Sequence, residues 1–268
     1  MSVVAEATAK DTRARLPIGD LRVSTVLAPI AFGVAVLGLW ELGVQASGVE
    51  PFIVPAPSDI WREVLDSSDS IAKGARVTGT NALVGLAIGG VLGALVAHAV
   101  RVVDQMTVPV VAAASVVPIV ALAPALYRMY GGQYDTTRML VAALSVSVPV
   151  YLNTLRGLRQ VTAVHRDLMT ASSARPWQVA RVVTLPTATP YVFTGLRIAS
   201  SLAVISALVA EYFGGPVSGL GKSITTSVSS SNYPLAWAYV VGSIVLGLVF
   251  YVVTLLLDLW FSRHHPEP

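Results

Sequence analysis

The chain has 268 residues, of which 54% are hydrophobic and 12% are charged, and its mean hydropathy is +0.68. Soluble domains carry about 25% charged residues, so this composition indicates an integral membrane protein. A net charge of +3 leaves no basic stripe of the kind that binds nucleic acid. The chain has no cysteine, which excludes disulfides, thiolate metal sites and a cysteine nucleophile.

Six apolar stretches predict an all-α membrane protein with six transmembrane helices. A helix needs about 20 apolar residues to cross a bilayer, and six segments come close to that length. They cover residues 24–44, 77–100, 105–127, 139–155, 187–210 and 235–257. We therefore expect a transmembrane domain at residues 24–260, flanked by tails at residues 1–23 and 261–268.

Basic residues set the predicted orientation. The stretch 1–23 carries three arginines and one lysine, and it lacks the apolar core and cleavage site of a secretory signal. The connection at residues 156–186 carries a second group of arginines. Short segments rich in Lys and Arg stay in the cytoplasm, so we expect both termini and this connection to be cytoplasmic.

Glycines in the second span predict close helix packing. Gly85, Gly89 and Gly93 recur at four-residue spacing. Such spacing lets the backbone of another helix approach closely, although glycine is also common in membrane helices without this role. Before this span, residues 51–70 predict Pro-rich extended chain followed by an amphipathic helix along the outer membrane surface.

The connection between the fourth and fifth spans, residues 156–186, is longer than most helix-to-helix connections. Its sequence at 167–186, DLMTASSARPWQVARVVTLP, predicts a helix, a bend with Ser172 and Ser173 as capping residues, and a second helix from Pro176. Apolar and charged side chains surround the bend: Leu168, Met169 and Trp177, with Arg166, Asp167, Arg175 and Arg181. This composition suits docking on a partner protein, and it also suits a segment lying in the lipid interface.

The same connection resembles the cytoplasmic EAA loop of ATP-binding-cassette (ABC) importer permeases, most closely those of the nitrate, sulfonate and taurine group. That loop reads Glu-Ala-Ala, three residues, Gly, nine residues and Ile-x-Leu-Pro. The matching positions are Asp167, Leu168 and Met169 for Glu-Ala-Ala, Ser173 for Gly, Val183 for Ile, and Leu185 and Pro186 for Leu-Pro. Serine in place of glycine removes the freest turn residue of the pattern.

Further stretches resemble the same family, in the same order along the chain. They are PAPSD at 55–59, PIVALAP at 118–124, LNTLRGL at 152–158, TGLR at 194–197, AEYFGG at 210–215 and GLGKSI at 219–224. Residues 128–138, RMYGGQYDTTR, differ from the apolar stretch usual there, so we expect a specialised outer loop. The GLGKSI stretch lacks the G-x-x-x-x-G-K-[ST] spacing of a nucleotide phosphate loop.

The resemblance implies a type I (MetI-like) importer permease, a multi-pass protein of the bacterial plasma membrane. It implies a coupling helix that involves Asp167, Leu168, Met169, Ser173, Arg175, Trp177, Leu185 and Pro186. The implied partners are a second permease subunit, identical or related, two cytoplasmic ABC ATPases and an extracytoplasmic solute-binding protein. ATP and Mg would bind to the ATPases, while this chain would bind no cofactor or metal and would be non-catalytic. The implied solutes are sulfonates, taurine, nitrate, and pyrimidine or other vitamin precursors.

Four polar side chains are candidates for the transport pathway or its gate. Glu211 and Tyr212 close the fifth span near its outer end, and we prefer an interfacial carboxylate beside an aromatic anchor to a gate. Arg197, inside the fifth span, is expected to snorkel to the interface or to pair with an acid. Asn153 in the fourth span faces either a water-filled cavity or another helix.

Three other functions remain open from the residues alone. A membrane coupling subunit of a vitamin (energy-coupling-factor) importer would also contact ATPases through cytoplasmic helices. An intramembrane enzyme would need a nucleophile, a base or metal ligands that converge inside the spans, and the sequence shows no such group. A passive channel would not need the long connection at 156–186.

Overall fold

The structure is a computed structural model, and it describes residues 23–50, 53–100, 118–132 and 135–264. The regular elements in these ranges are all helical, which confirms the predicted all-α class. They are α1 Val23–Ser47, α2 Pro57–Asp66, α3 Ser68–Val100, α4 Ala123–Tyr130, α5 Thr136–Arg159, α6 Ala163–Ala171, α7 Pro176–Val179, α8 Leu185–Phe213, α9 Leu220–Ser229 and α10 Tyr233–His264. A 3₁₀ turn, Ile119–Leu122, precedes α4, and a π-helical turn, Ala180–Thr184, joins α7 to α8.

Five helical segments among the described residues are long and apolar enough to cross a membrane. They are Leu27–Ser47, Ser68–Ala99, Thr136–Arg159, Pro176–Phe213 and Tyr233–Phe261. These segments confirm five of the six predicted spans. The third predicted span, 105–127, lies for the most part outside the described residues, and its remainder belongs to a shorter apolar helix, Ile119–Tyr130.

The chain divides into two compact units, Met1–Val49 and Glu50–Pro268. The described part of the first unit is α1, an apolar helix of 25 residues with Pro29 inside it. The core of the second unit lies where α3, α5 and α8 meet. Its buried members are Ala82, Leu86, Val146, Val150, Ala199, Ala203, Val204 and Ala207. Half of these residues are alanine, so the helix backbones approach closely.

The glycines of α3 explain this approach. A methyl group added at Gly85 would collide with the side chain of Ala142, and one added at Gly89 would collide with the carbonyl oxygen of Ala143. At Gly93 the corresponding contact is the carbonyl oxygen of Ser147, at 2.5 Å. All three contacted residues belong to α5. The predicted close packing at the four-residue glycine spacing is therefore confirmed.

The fifth span begins earlier than the predicted boundary at residue 187. The segments α7, the π-helical turn and α8 form one continuous helical segment of 38 residues, Pro176–Phe213. Pro186 has no amide hydrogen, so the regular bond to the carbonyl of Val182 cannot form. The helix is wider at this point, because the amide of Leu185 donates to the carbonyl of Ala180, five residues earlier. The second half of the connection at residues 156–186 therefore runs into the fifth membrane span without a break in the helix.

We predict that Gly89→Ala destabilises the second unit by about 1–3 kcal/mol, because the added methyl group overpacks the contact between α3 and α5. The measurement is the melting temperature of the purified protein in detergent. The matched control is Gly247→Ala in α10, where an added methyl group meets no atom within 4 Å. Equal melting temperatures for the two variants would contradict the packing described above.

Candidate functional site

The connection between α5 and α8, residues 160–184, is named the interspan loop below. It starts with α6, whose first turn is capped by Thr162: the Thr162 hydroxyl oxygen accepts from the amide of His165 at 3.4 Å. At α7, the side-chain Oε1 of Gln178 accepts from the amide of Arg175 at 2.7 Å. The predicted helix, bend and helix are therefore present.

Ser172 and Ser173, predicted as capping residues at the bend, do not cap the second helix, whose N-cap is Arg175. Both serines end α6 instead. The amide of Ser173 donates to the carbonyl of Thr170 at 2.9 Å, and the amide of Ala174 donates to the carbonyl of Met169 at 3.0 Å. This pair of bonds is the Schellman ending of a helix. It requires a left-handed residue at Ser173, whose φ is 51°.

Ser173 stands where the EAA pattern has glycine, and the left-handed conformation explains that preference. Glycine adopts positive φ without steric cost, whereas other residues pay about 1–2 kcal/mol. Ser173 adopts this conformation without being glycine. The hydroxyl of the preceding Ser172 donates to the carbonyl of Leu168 at 2.8 Å and adds one more bond to this helix end.

The bend exposes apolar side chains. Leu168 is 61% exposed and Trp177 is 68% exposed. Met169, the third predicted knob, is half-buried, while Asp167 and Arg175 are exposed. Val164 and Val182 are exposed as well. The sequence did not predict these two residues as part of the apolar surface at the bend. Leu185 and Pro186 are also exposed and continue it along the start of α8.

Arg197 forms an ion pair inside the second unit. Its Nη1 lies 3.2 Å from Oδ2 of Asp258 in α10. Of the two predicted environments of Arg197, snorkelling to the interface or pairing with an acid, the structure shows the pairing. One turn away, the hydroxyl of Thr254 donates to the hydroxyl of Ser200 at 3.1 Å. The two contacts tie α8 to α10.

Asn153 lies at the contact between α5 and α8. Its Nδ2 donates to the carbonyl of Pro149 at 2.8 Å, within its own helix. A methyl group added at Gly195 of α8 would approach the Cβ of Asn153 to 3.1 Å. Asn153 therefore packs against another helix, α8, on at least one side.

Glu211 is completely buried, so the preferred interpretation as an interfacial carboxylate was wrong. It accepts hydrogen bonds from the hydroxyl of Thr78 at 2.9 Å and from the amide of Gly221 at 2.7 Å. The same Thr78 oxygen accepts from the amide of Leu220 at 2.9 Å. Together, Glu211 and Thr78 satisfy the first two amides of α9, which otherwise lack partners. Tyr212, the neighbouring candidate, is 42% exposed.

A buried arginine compensates the charge of Glu211. Arg138 is completely buried, and its Nη1 lies 2.7 Å from Oδ1 of Asp135 and 3.9 Å from Oε1 of Glu211. Its Nη2 donates to the carbonyl of Pro216 at 2.7 Å. Asn81 of α3 adds a donor to Asp135 at 3.3 Å. We call Thr78, Asn81, Asp135, Arg138 and Glu211 the buried polar cluster.

Arg138 was not among the predicted site residues, because its stretch, 128–138, was expected to form a specialised outer loop. The signal was its position beside the fourth span: an ionisable residue at a membrane segment needs a buried partner. Two glycines make room for the cluster. An added methyl group at Gly219 would overlap the carboxylate of Glu211, and one at Gly221 would overlap the carbonyl of Leu208. The AEYFGG stretch, which contains Glu211, and the GLGKSI stretch, which contains Gly219 and Gly221, therefore pack against each other.

We predict that Arg138→Met destabilises the protein by about 3–5 kcal/mol, because it leaves the buried carboxylate of Glu211 without a compensating charge, and that Glu211→Gln costs less, because Arg138 keeps its 2.7 Å ion pair to Asp135. The double variant Glu211→Gln with Arg138→Met should cost less than the sum of the two single changes, since Arg138→Met then no longer leaves a charged carboxylate at position 211. The measurement is a double-mutant cycle of melting temperatures in detergent. Strictly additive effects would show that the two side chains do not interact.

Comparisons with known proteins agree with this architecture. The family model described as "Binding-protein-dependent transport system inner membrane component" matches residues 89–265. The riboflavin transport system permease protein RibX of Chloroflexus aurantiacus is 32% identical to the chain, over 83% of this chain and 84% of that protein.

Two further relatives carry other transport names. The formylaminopyrimidine transport permease protein ThiX of Halalkalibacterium halodurans is 28% identical, over 83% of this chain and 90% of that protein. The putative aliphatic sulfonates transport permease protein SsuC of Bacillus subtilis is 25% identical, over 79% of this chain and 78% of that protein. These names offer no support for a vitamin-importer coupling subunit, an enzyme or a channel. The chain belongs to the binding-protein-dependent transport system inner membrane component family, and it is a MetI-like, multi-pass permease subunit of an ABC importer in the bacterial plasma membrane.

Proposed function

We propose that the interspan loop docks on a separate cytoplasmic ATPase and passes its motion to the membrane helices. The observation that carries this proposal is the exposure of Leu168 and Trp177 on a bend that is held by backbone hydrogen bonds. Exposed large apolar side chains with charged neighbours are typical of contact surfaces, and tryptophan is enriched among residues that dominate binding energy.

The helical continuity of α7 and α8 makes such docking mechanically useful. A partner shifts an equilibrium only when it contacts two conformations differently. A load on Trp177 would reach α8 through the π-helical turn without a flexible linker between them. The Arg197–Asp258 ion pair would carry the load onward to α10.

The assembly that follows contains two permease subunits, identical or related, two ABC ATPases and one extracytoplasmic binding protein. ATP and Mg bind to the ATPases in this proposal, so hydrolysis takes place on partner chains and this chain is non-catalytic. The sequence supports that division, because its GLGKSI stretch lacks the spacing of a phosphate loop. Both termini and the interspan loop lie in the cytoplasm, as the distribution of basic residues indicates.

The proposed solute is a small heterocyclic vitamin or vitamin precursor of the riboflavin or pyrimidine type. The support comes from the relatives named for riboflavin and formylaminopyrimidine transport, whose identities to this chain exceed that of the relative named for sulfonates. Selection of the solute rests mainly with the binding protein in this scheme.

We predict that Trp177→Ala weakens ATPase binding by about 30-fold or more, since loss of a dominant interface tryptophan costs about 2 kcal/mol or more. The measurement is co-purification of the ATPase with tagged permease, followed by titration in detergent. The control is Trp61→Ala in α2, where the tryptophan has a similar exposure of 62%. The double charge reversal Asp167→Arg with Arg175→Glu should also reduce binding. Full ATPase binding by both loop variants would favour the lipid-interface interpretation of the loop.

Proteoliposomes test the solute directly. The permease, its ATPases and its binding protein should accumulate radiolabelled riboflavin when ATP is supplied, because transport needs energy from the partner chains. Omission of the ATPases should abolish uptake. Accumulation of an alkanesulfonate in place of riboflavin would show that the solute class is wrong while the importer function stands.

A further inference from the structure

A polar groove lies between α9 and the first turns of α10. Its volume is about 240 Å³. The polar side chains that line it are Lys222, Ser223, Thr226, Ser227, Ser230 and Tyr239. The function described above makes no use of these residues.

The hydroxyl groups of the groove are oriented by their own helix. The hydroxyl of Ser223 donates to the carbonyl of Gly219 at 2.9 Å, and that of Thr226 donates to the carbonyl of Lys222 at 2.9 Å. Ser230 donates in the same way to the carbonyl of Ser227 at 3.0 Å. Each hydroxyl has used its single proton, so its oxygen remains as an acceptor. These three hydroxyl groups therefore present acceptor oxygens to the groove.

Lys222 supplies the opposite chemistry. Of the described residues that line the groove, it is the one charged side chain, and its ammonium group carries three donors. Lys222 lies in the connection between the spans of α8 and α10 and is partly exposed, so its ammonium group is accessible to a solute. A solute that matches this groove carries N–H or O–H donors for the hydroxyl oxygens and a carbonyl or anionic oxygen for Lys222.

The position of α9 is fixed independently of the groove. Glu211 and Thr78 bind the amides of Gly221 and Leu220, and the neighbouring Gly219 leaves room for the carboxylate. Helix α9 has ten residues, too few to span a bilayer, and it lies between two spans. A buried carboxylate and a buried hydroxyl thus hold a short polar helix in place beside a groove that they do not themselves line.

We infer that this groove is a contact site for the transported solute on the permease, with Lys222 binding an oxygen acceptor of the solute and Thr226 and Ser230 binding its donors. The inference rests on the importer function proposed above and deepens it. A riboflavin-like or aminopyrimidine solute has both donors and ring acceptors, whereas an alkanesulfonate has acceptors alone. The groove accordingly favours the heterocyclic class over the sulfonates.

Transport measurements test the roles of the side chains. In the reconstituted importer with riboflavin, Lys222→Gln and Thr226→Val should each lower riboflavin transported per ATP hydrolysed by about fivefold, the value of one hydrogen bond. Lys222→Arg should retain most of the transport. The concentration of loaded binding protein that half-saturates ATP hydrolysis should stay unchanged, which a general folding defect would not allow.

The matched control is Thr225→Val. Thr225 donates to the same carbonyl of Lys222, at 2.8 Å, but does not line the groove. Normal transport by Thr225→Val together with reduced transport by Thr226→Val supports the site. Equal effects of the two changes, or unchanged transport by Lys222→Gln, would overturn it.

Thiol labelling tests the groove without any assumption about the solute. The natural chain contains no cysteine, so Thr226→Cys and Val228→Cys each introduce one reactive thiol. Val228 is 43% exposed on α9 and lies outside the groove. An anionic methanethiosulfonate reagent should label position 226 at least about tenfold faster than position 228, and Lys222→Gln should reduce that rate, because a positive charge concentrates anions locally.

The two measurements separate the possible failures. If the wild-type importer carries no riboflavin but position 226 labels fast and depends on Lys222, the proposed solute is wrong and the groove stands. If positions 226 and 228 label at the same rate, or if Lys222→Gln leaves the rate at position 226 unchanged, the groove is not a solute site, whatever the importer carries.

Discussion

The packing of α3, α5, α8 and α9 depends on the hydrogen bonds and the ion pair of one buried carboxylate, that of Glu211. It lies in the last turn of α8, accepts from the hydroxyl of Thr78 in α3 and accepts from the amide of Gly221 in α9. A carboxylate that is removed from water needs hydrogen bonds and a compensating charge, and Arg138 on α5 provides the latter. Four helices therefore meet at one anionic group. Their relative positions are specified by directional polar bonds, whereas apolar packing between membrane helices is less specific.

Helix α8 connects this cluster to the interspan loop. Its first residues continue from α7 through the π-helical turn, its middle is tied to α10 by Arg197 and Asp258, and its last turn carries Glu211. The proposed docking of an ATPase and the proposed solute contact on α9 thus act on opposite ends of one helix. A rigid element with specific contacts at both ends is suited to coupling two sites, provided that each site favours one of two arrangements.

Packing between α3 and α5 gives the assembly its second constraint. The glycines of α3 allow carbonyl groups of α5 to lie against its backbone, as at Gly89 and Ala143. Lipid chains are as apolar as leucine, so close van der Waals contact has to replace the hydrophobic effect as the source of helix association. The core between α3, α5 and α8 is accordingly rich in alanine, and its helices are held at short distances on which the polar contacts also depend.

The sequence by itself determined the membrane class, the α-helical content, five spans and the importer family, because apolar run length and motif order are local properties of the chain. It also located the bend near Ser173, though not that serine's left-handed role. Only the tertiary structure decided which polar residues meet: Glu211, Thr78 and Arg138 come from segments far apart in the chain. Ionic pairing depends on three-dimensional distance and on burial, and neither quantity is present in the order of residues. For that reason the sequence alone predicted Glu211 to be an interfacial group and Arg138 to be a loop residue.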